Sequence, residues 1–325
     1  MSVQTRHRSL GSHPRAIYHR RRAVAGLALL ALVLIVVLLF AVLGGGGSGG
    51  DGKLHLSAEN RAALRNVEPV RQGLDRLLLN APLPSTAEQQ SAVNRLTQLG
   101  LPVFCAGTQN KYVALTFDDG PGPQTEQVLR LLASRGQRAT FFVVGRQLTD
   151  YPQLPAVEAR AGAVGDHTFN HIDVTRATPA QRNFEMAQTR QLLEAATGTP
   201  VTLFRPPYGA HDANVDAQAR QLGLLQTTWN VDTQDSEGAT AAGIQQLATE
   251  GMRPGAIILM HENKPETLVA LPRILRTLQR KGYRSVTIPE LLALNPPSDQ
   301  QVQAGFQGCV DAGNTSKAFT PTGSS

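Results

Sequence analysis

Tyr112-Val113-Ala114-Leu115-Thr116-Phe117-Asp118-Asp119-Gly120-Pro121 is the stretch that decides the fold. Its apolar start, rich in β-formers, reads as a strand, and two adjacent carboxylates followed by Gly-Pro read as an abrupt turn. In a regular strand Asp118 and Asp119 would face opposite sides. A turn at the strand end releases that constraint and lets both carboxylates reach one place, although a plain acidic turn has the same pattern. Two further β-like runs, Ala139–Val144 and Ala256–Met260, lie downstream, separated from the first and from each other by helical signals. Thr178, Pro179 and Gln181 open one such helix and Gly198 closes it. Alternating strands and helices predict an α/β fold, a parallel sheet with helices outside, either open or closed into a barrel. In barrels the chemistry sits on loops at the C-terminal strand ends, where Asp118 and Asp119 stand.

Four more segments carry residues of the same kind. In His167-Thr168-Phe169-Asn170-His171 two imidazoles four apart would share one face of a helical turn, a spacing suited to one metal ion. Two histidines and one carboxylate leave coordination positions open for water, as in catalytic zinc sites. Arg205-Pro206-Pro207-Tyr208-Gly209 is a stiff loop, and Asp232-Thr233-Gln234-Asp235 follows Trp229. Leu259-Met260-His261 ends an apolar strand. Each segment alone also fits an ordinary turn, solvated arginine or structural histidine.

Together, in this order and at these spacings, the five segments resemble the polysaccharide deacetylase family (NodB-like, carbohydrate esterase family four) over roughly residues 111–294. The resemblance implies a distorted (β/α) barrel, a divalent metal, and hydrolysis of acetyl groups on a polymeric sugar. The metal would be zinc, with cobalt, nickel or manganese as the other ions that suit the site. Carried over by position, Asp119, His167 and His171 would hold the metal and Asp118 would be the general base. Arg205 would orient Asp118, and the Tyr208 backbone N–H would help bind the oxyanion. His261 would be the general acid with Asp235 tuning it, and Leu259 would line the acetyl pocket. Two departures stand out. Ser236 follows Asp235 where the family pattern has Trp, which would open one wall of the groove. Gly162-Ala163-Val164-Gly165 is also shorter than the matching stretch and lacks its His-Glu pair.

Outside this region the chain reads as a series of attachments. Of 325 residues, 31 are Lys or Arg and 25 are Asp or Glu, a net charge of +6. Residues 1–22 hold six arginines (Arg6, Arg8, Arg15, Arg20, Arg21, Arg22) and no acid, so the remainder is balanced and a nucleic-acid partner is disfavoured. Ala23–Leu43 is uncharged and apolar for 21 residues, long enough to span a membrane. A cleaved signal peptide is the competing reading, but the run is long and Gly44–Gly50 follows without a cleavage pattern. The arginines place residues 1–22 in the cytoplasm and the bulk of the chain outside a cell membrane crossed once. Residues 44–52 form a Gly/Ser linker, and 53–103 a helical stalk or cover. That segment has a break near Pro69, a capping box at Ser85 and Glu88, and an end at Gly100. Residues 104–294 form the catalytic domain and 295–325 a mostly disordered tail. Cys105 and Cys309 bracket the catalytic region and, in an oxidising compartment, can pair; closing so long a loop is worth about 5 kcal/mol. The expected function is a membrane-anchored, metal-dependent deacetylase acting on an acetylated polysaccharide, N-acetylglucosamine of peptidoglycan given the location. A non-catalytic glycan-binding module and an O-acetyl (xylan-type) esterase are the alternatives, and nothing in the sequence sets the oligomeric state.

Overall fold

The structure, a computed structural model, describes residues 83–306 and Cys309. The basic arm, the apolar Ala23–Leu43 segment, the linker, the stalk up to residue 82 and the end of the tail lie outside the described residues. Among the described residues no helix is long and apolar enough to cross a membrane.

Helix α1 (Thr86–Thr97) opens with the capping box of Ser85 and Glu88. It buries Ala92, Val93 and Leu96 in the same apolar cluster as Val103, Leu291 and Leu292, so this part of the N-terminal segment is a cover on the main body. Strand β1 (Tyr112–Gly120) then starts the sheet. After it come α2 (Thr125–Ser134), β2 (Ala139–Val143), α3 (Leu154–Ala161), β3 (Ala163–Asp166), α4 (Pro179–Thr197), β4 (Leu203–Phe204) and α5 (Ala213–Gln221). The chain continues through β5 (Leu225–Gln226), β6 (Val231–Asp232), α6 (Ala241–Glu250), β7 (Ile257–His261), α7 (Pro265–Arg280), β8 (Arg284–Ser285), α8 (Ile288–Leu294) and α9 (Asp299–Gln303).

The strands pair in the order β5-β4-β3-β2-β1-β7-β6, with β8 added at the start of β1, and these strand pairings are all parallel among the described residues. The expected barrel is therefore a curled half-barrel whose ladder ends at β5 and β6. Residues 103–105 run across the gap: Val103 bridges to Thr227 beyond β5, and Cys105 bridges to Ala256 before β7.

Strand parity sorts β1 into two faces. Val113, Leu115 and Phe117 join the helix-side core with Val128, Leu129, Leu132, Leu271, Ile274 and Leu278. Ala114 joins the inner cluster with Phe142, Leu203 and Ile257. Thr116 and Asp118 continue that inner row toward the C-terminal strand ends, and both are buried. Burial on both faces explains why β1 reads as an unbroken apolar run rather than an alternating one.

The described part of the tail departs from expectation. Ser298 and Gln301 form a capping box for α9, and Phe306 is buried in the inner cluster. A buried aromatic and a good cap outweigh the polar composition from which disorder was expected. Cys309 is bonded to Cys105 across a sequence separation of 204 residues, with Cα atoms 5.7 Å apart. Replacing both cysteines by Ala should lower unfolding free energy by about 2–5 kcal/mol in urea titrations; an unchanged midpoint would show that the bridge does not constrain the unfolded chain.

Candidate active site

Asp118 reaches the mouth by strand parity, but Asp119 needs a backbone device. Its φ of 69° is left-handed, and the β1–β2 register shifts between Asp118 and Gly120. This bulge turns the second carboxylate toward the same mouth as the first. Gly120 leaves the space there to the Glu262 carboxyl, which a Cβ would displace.

The histidines follow β3, in a loop and not in the expected helical turn. Asp166 accepts the Thr168 N–H at 2.7 Å, and the Thr168 hydroxyl accepts the His171 N–H at 3.0 Å. Thr168 and His171 both have positive φ, 64° and 58°. The local side-chain bonds replace the helical ladder, and the rings still meet with centroids 5.0 Å apart.

Nε2 of His171 lies 3.1 Å, and Nε2 of His167 3.6 Å, from Oδ1 of Asp119. That oxygen is buried with no hydrogen-bond partner among the described residues. The Arg205 carbonyl, which can only accept, takes the Nδ1–H of His167 at 2.7 Å and leaves the Nε2 lone pair facing Asp119. Burial also lowers the basicity of His167, more than Asp118 and Asp119 raise it. Burial pushes the Asp119 carboxyl up, yet the imidazoles of His171, His167 and His261 hold it below the usual carboxylate range. One ligand atom from each of the three residues lies within 4.8 Å of the others. Lone pairs converging on an unpartnered oxygen fit a cation held at about 2.0–2.2 Å from each donor.

Arg205 follows β4 and is fully buried. Its Nη1 donates to Asp118 Oδ1 and to the Thr116 hydroxyl, each at 2.8 Å. Nη2 and Nε donate to the carbonyls of Thr228 and Thr227 at 2.8 and 3.2 Å. The guanidinium stands 4.1 Å over the Phe142 ring centroid. Tyr208, in the adjoining 3₁₀ turn, has a φ of 62°, and its exposed ring meets His171 edge-on at 4.9 Å. The turn's bonds run from Gly209 to Pro206 and from Ala210 to Pro207, so the Tyr208 N–H takes no part in them.

His261 ends β7 in register with Asp118, facing it across the neighbouring strand. Leu259, two residues earlier on the same face, is in register with Thr116 and is buried. Asp235 accepts the His261 Nδ1–H and its backbone N–H, both at 2.7 Å, and the Thr267 hydroxyl at 2.5 Å. Burial alone would lower the pKa of His261. The Asp235 hydrogen bond and charge, aided by Asp118 and Asp119, lift it to about 9 instead. Ser236 is exposed. Thr116 and Thr267, which fix Arg205 and Asp235, were not singled out in the sequence, where a strand or helix threonine carries no mark of such a role. Asn263, whose Nδ2 lies 3.4 Å from Asp119 Oδ2, stands two residues past His261, the one signal that could have found it.

Residues 106–227 match the polysaccharide deacetylase family. A chitooligosaccharide deacetylase of Rhizobium leguminosarum is 32% identical over 60% of this chain and 89% of its own length. The chain belongs to the polysaccharide deacetylase family. The peptidoglycan-N-acetylglucosamine deacetylase PgdA of Listeria monocytogenes is 34% identical over 63% of this chain, and the match spans 44% of that relative's length. A family 4 carbohydrate esterase from Streptomyces lividans, solved with acetate, superposes with a TM-score of 0.52 at 38% identity, covering 54% of this chain and 92% of that one.

Two outcomes test the site. Asp119→Ala and His167→Ala should each abolish retention of a divalent metal after dialysis, measured by elemental analysis, whereas Asp118→Asn should retain it. Arg205→Met leaves Asp118 buried and unpaired and should cost about 3–5 kcal/mol in denaturant unfolding; a loss below about 1 kcal/mol would contradict the pairing.

Proposed function

We propose that this chain hydrolyses N-acetyl groups on a cell-surface polysaccharide, the N-acetylglucosamine of peptidoglycan. The observation that carries the reading is the pairing of Asp118, pinned by Arg205 beside the Asp119–His167–His171 cluster, with the Asp235-bound His261 across one strand register. The activities named for the Listeria and Rhizobium relatives support the reaction class.

Asp119, His167 and His171 would hold a divalent cation, zinc in this reading, which would supply Lewis acidity for the acetyl carbonyl and for nearby water. Because Oδ1 of Asp118 is taken by Arg205, Oδ2 is the oxygen that accepts the proton of the attacking water. The Tyr208 N–H donates to the carbonyl oxygen as it gains charge, a contribution of about 2.7–4 kcal/mol for a donor of this type. His261 keeps Nδ1–H on Asp235 and gives its Nε2 proton to the departing nitrogen. An amine leaves only when protonated, whereas an ester oxygen needs less help, so this built acid favours an amide over an O-acetyl ester. Intact proton-transfer groups on both sides of the mouth likewise favour turnover over glycan binding alone.

Location belongs to the same reading. The apolar Ala23–Leu43 run behind six arginines supports a single membrane anchor with a cytoplasmic N-terminus. The wall glycan is then the nearest acetylated polymer, and exposed Ser236 leaves one side of the groove open to a long chain.

The full chain should release acetate from N-acetylated peptidoglycan and chitin oligomers more readily than from acetylated xylan, and a chelator should stop it. Asp118→Asn should lower kcat by about 10²–10⁴; acetate release surviving that change would remove Asp118 from the reaction. The acid His261 must be protonated to act, so kcat/KM should fall as pH rises through about 9. Asp235→Asn removes the charge that does most to raise this pKa and should shift the alkaline limb to lower pH; a limb that stays put would assign it to another group.

A further inference from the structure

Two buried acids have no part in the chemistry described above. Glu158, in α3, is fully buried, and neither carboxyl oxygen has a hydrogen-bond partner. Glu262, one residue past His261, is also buried; Oε2 accepts the Thr125 hydroxyl, while Oε1 has no partner. By parity with Ile258 and Met260, Glu262 faces the helix side of the sheet, behind the mouth. There the two carboxyls are in contact, within side-chain hydrogen-bonding reach.

An ionised carboxylate only accepts hydrogen bonds. Two ionised carboxylates in contact would leave three buried oxygens without donors and two like charges out of water, an arrangement that folded proteins avoid. A single proton between them removes one of the two charges and pairs two of the three oxygens, because the protonated acid becomes the missing donor. We propose that Glu158 and Glu262 share one proton, and that this acid–carboxylate bridge is a positioning element holding the Asp118–Asp119 strand end against the His261 strand end.

The surroundings give the bridge that role. The Glu262 N–H donates to the Asp118 carbonyl at 3.3 Å, tying the two strand ends together. The Glu262 carboxyl fills the space a side chain at residue 120 would need, directly beneath the bulge that turns Asp119. Through Oε2 it holds Thr125, whose hydroxyl oxygen accepts the Gly122 N–H at 2.8 Å, so the turn between β1 and α2 is clasped as well. The groups facing the pair are Asp118 and Asp119 at the end of β1 and the Thr125 hydroxyl of α2. Burial first, then those carboxylates, push Glu262 up to about 8, and burial with the charge of Glu262 raises Glu158 well above its ordinary value. A bridge without its proton would part by repulsion, and the Asp119 bulge would lose its support.

The test is infrared spectroscopy of the full chain at pH 7, with Glu158→Gln and Glu262→Gln as variants of the same shape that keep a donor. The wild-type spectrum should contain the carbonyl stretch of a protonated carboxyl, shifted in heavy water, that both variants lose. A spectrum unchanged in both variants overturns the proposal, and this arm does not depend on the deacetylase reading. The positioning role, which does rest on that reading, is read from acetate release. Glu158→Ala should lower kcat by about tenfold or more with KM little changed, and Glu158→Gln should recover most of that loss by restoring a donor. Equal losses in the two variants, or none in Glu158→Ala, would contradict it.

Discussion

The buried guanidinium of Arg205 is the constraint on which the site depends. Its side chain spans the inside of the half-barrel, from Thr116 and Asp118 on β1 to the carbonyls of Thr227 and Thr228 beyond β5. Its own carbonyl fixes the ring of His167. One residue thus orients a carboxylate with its charge and an imidazole with its backbone. A guanidinium suits this task because its planar fork of donors meets several acceptors at once, which a lysine ammonium cannot do in the same geometry. A buried charge of this kind is tolerable only when well paired, and Arg205 has four hydrogen bonds, one of them to a carboxylate, with the Phe142 ring against its guanidinium.

Electrostatics then separates two neighbouring carboxylates that would otherwise compete. Asp118 answers to Arg205, while Asp119 answers to the imidazoles of His167 and His171. A parallel division holds on the neighbouring strand, where Asp235 binds both the ring N–H and the backbone N–H of His261. In the proposed reaction each of these groups thereby keeps a partner of its own, the condition for moving a proton in at one side and out at the other.

Much of this was legible in the sequence, for reasons that differ by element. The caps at Ser85 and Thr178 and the left-handed Gly198 are local chemistry, and the structure follows them residue by residue. Strands β1, β2 and β7 announce themselves as apolar runs because both of their faces are buried. The two-residue strands β4, β5, β6 and β8 leave no such trace, since tertiary pairing alone defines them. The His167–His171 spacing pointed to the right pair by the wrong route: a four-residue interval suggests a helix, but the Asp166 and Thr168 side chains stabilise a loop that brings the rings together just as well. The bulge at Asp119, the clasp beneath it by Glu262 and the helix within the tail required the folded neighbours to be visible.

The central claim is that the left-handed backbone at Asp119, Thr168 and His171 converges three ligand atoms on a single cation beside Asp118. Anomalous diffraction at the absorption edge of a bound metal tests it most directly. One peak within about 2.0–2.2 Å of Asp119 Oδ1 and of Nε2 of both histidines is the predicted result. A peak elsewhere in the fold, or one reached by only one of the three residues, would contradict the account.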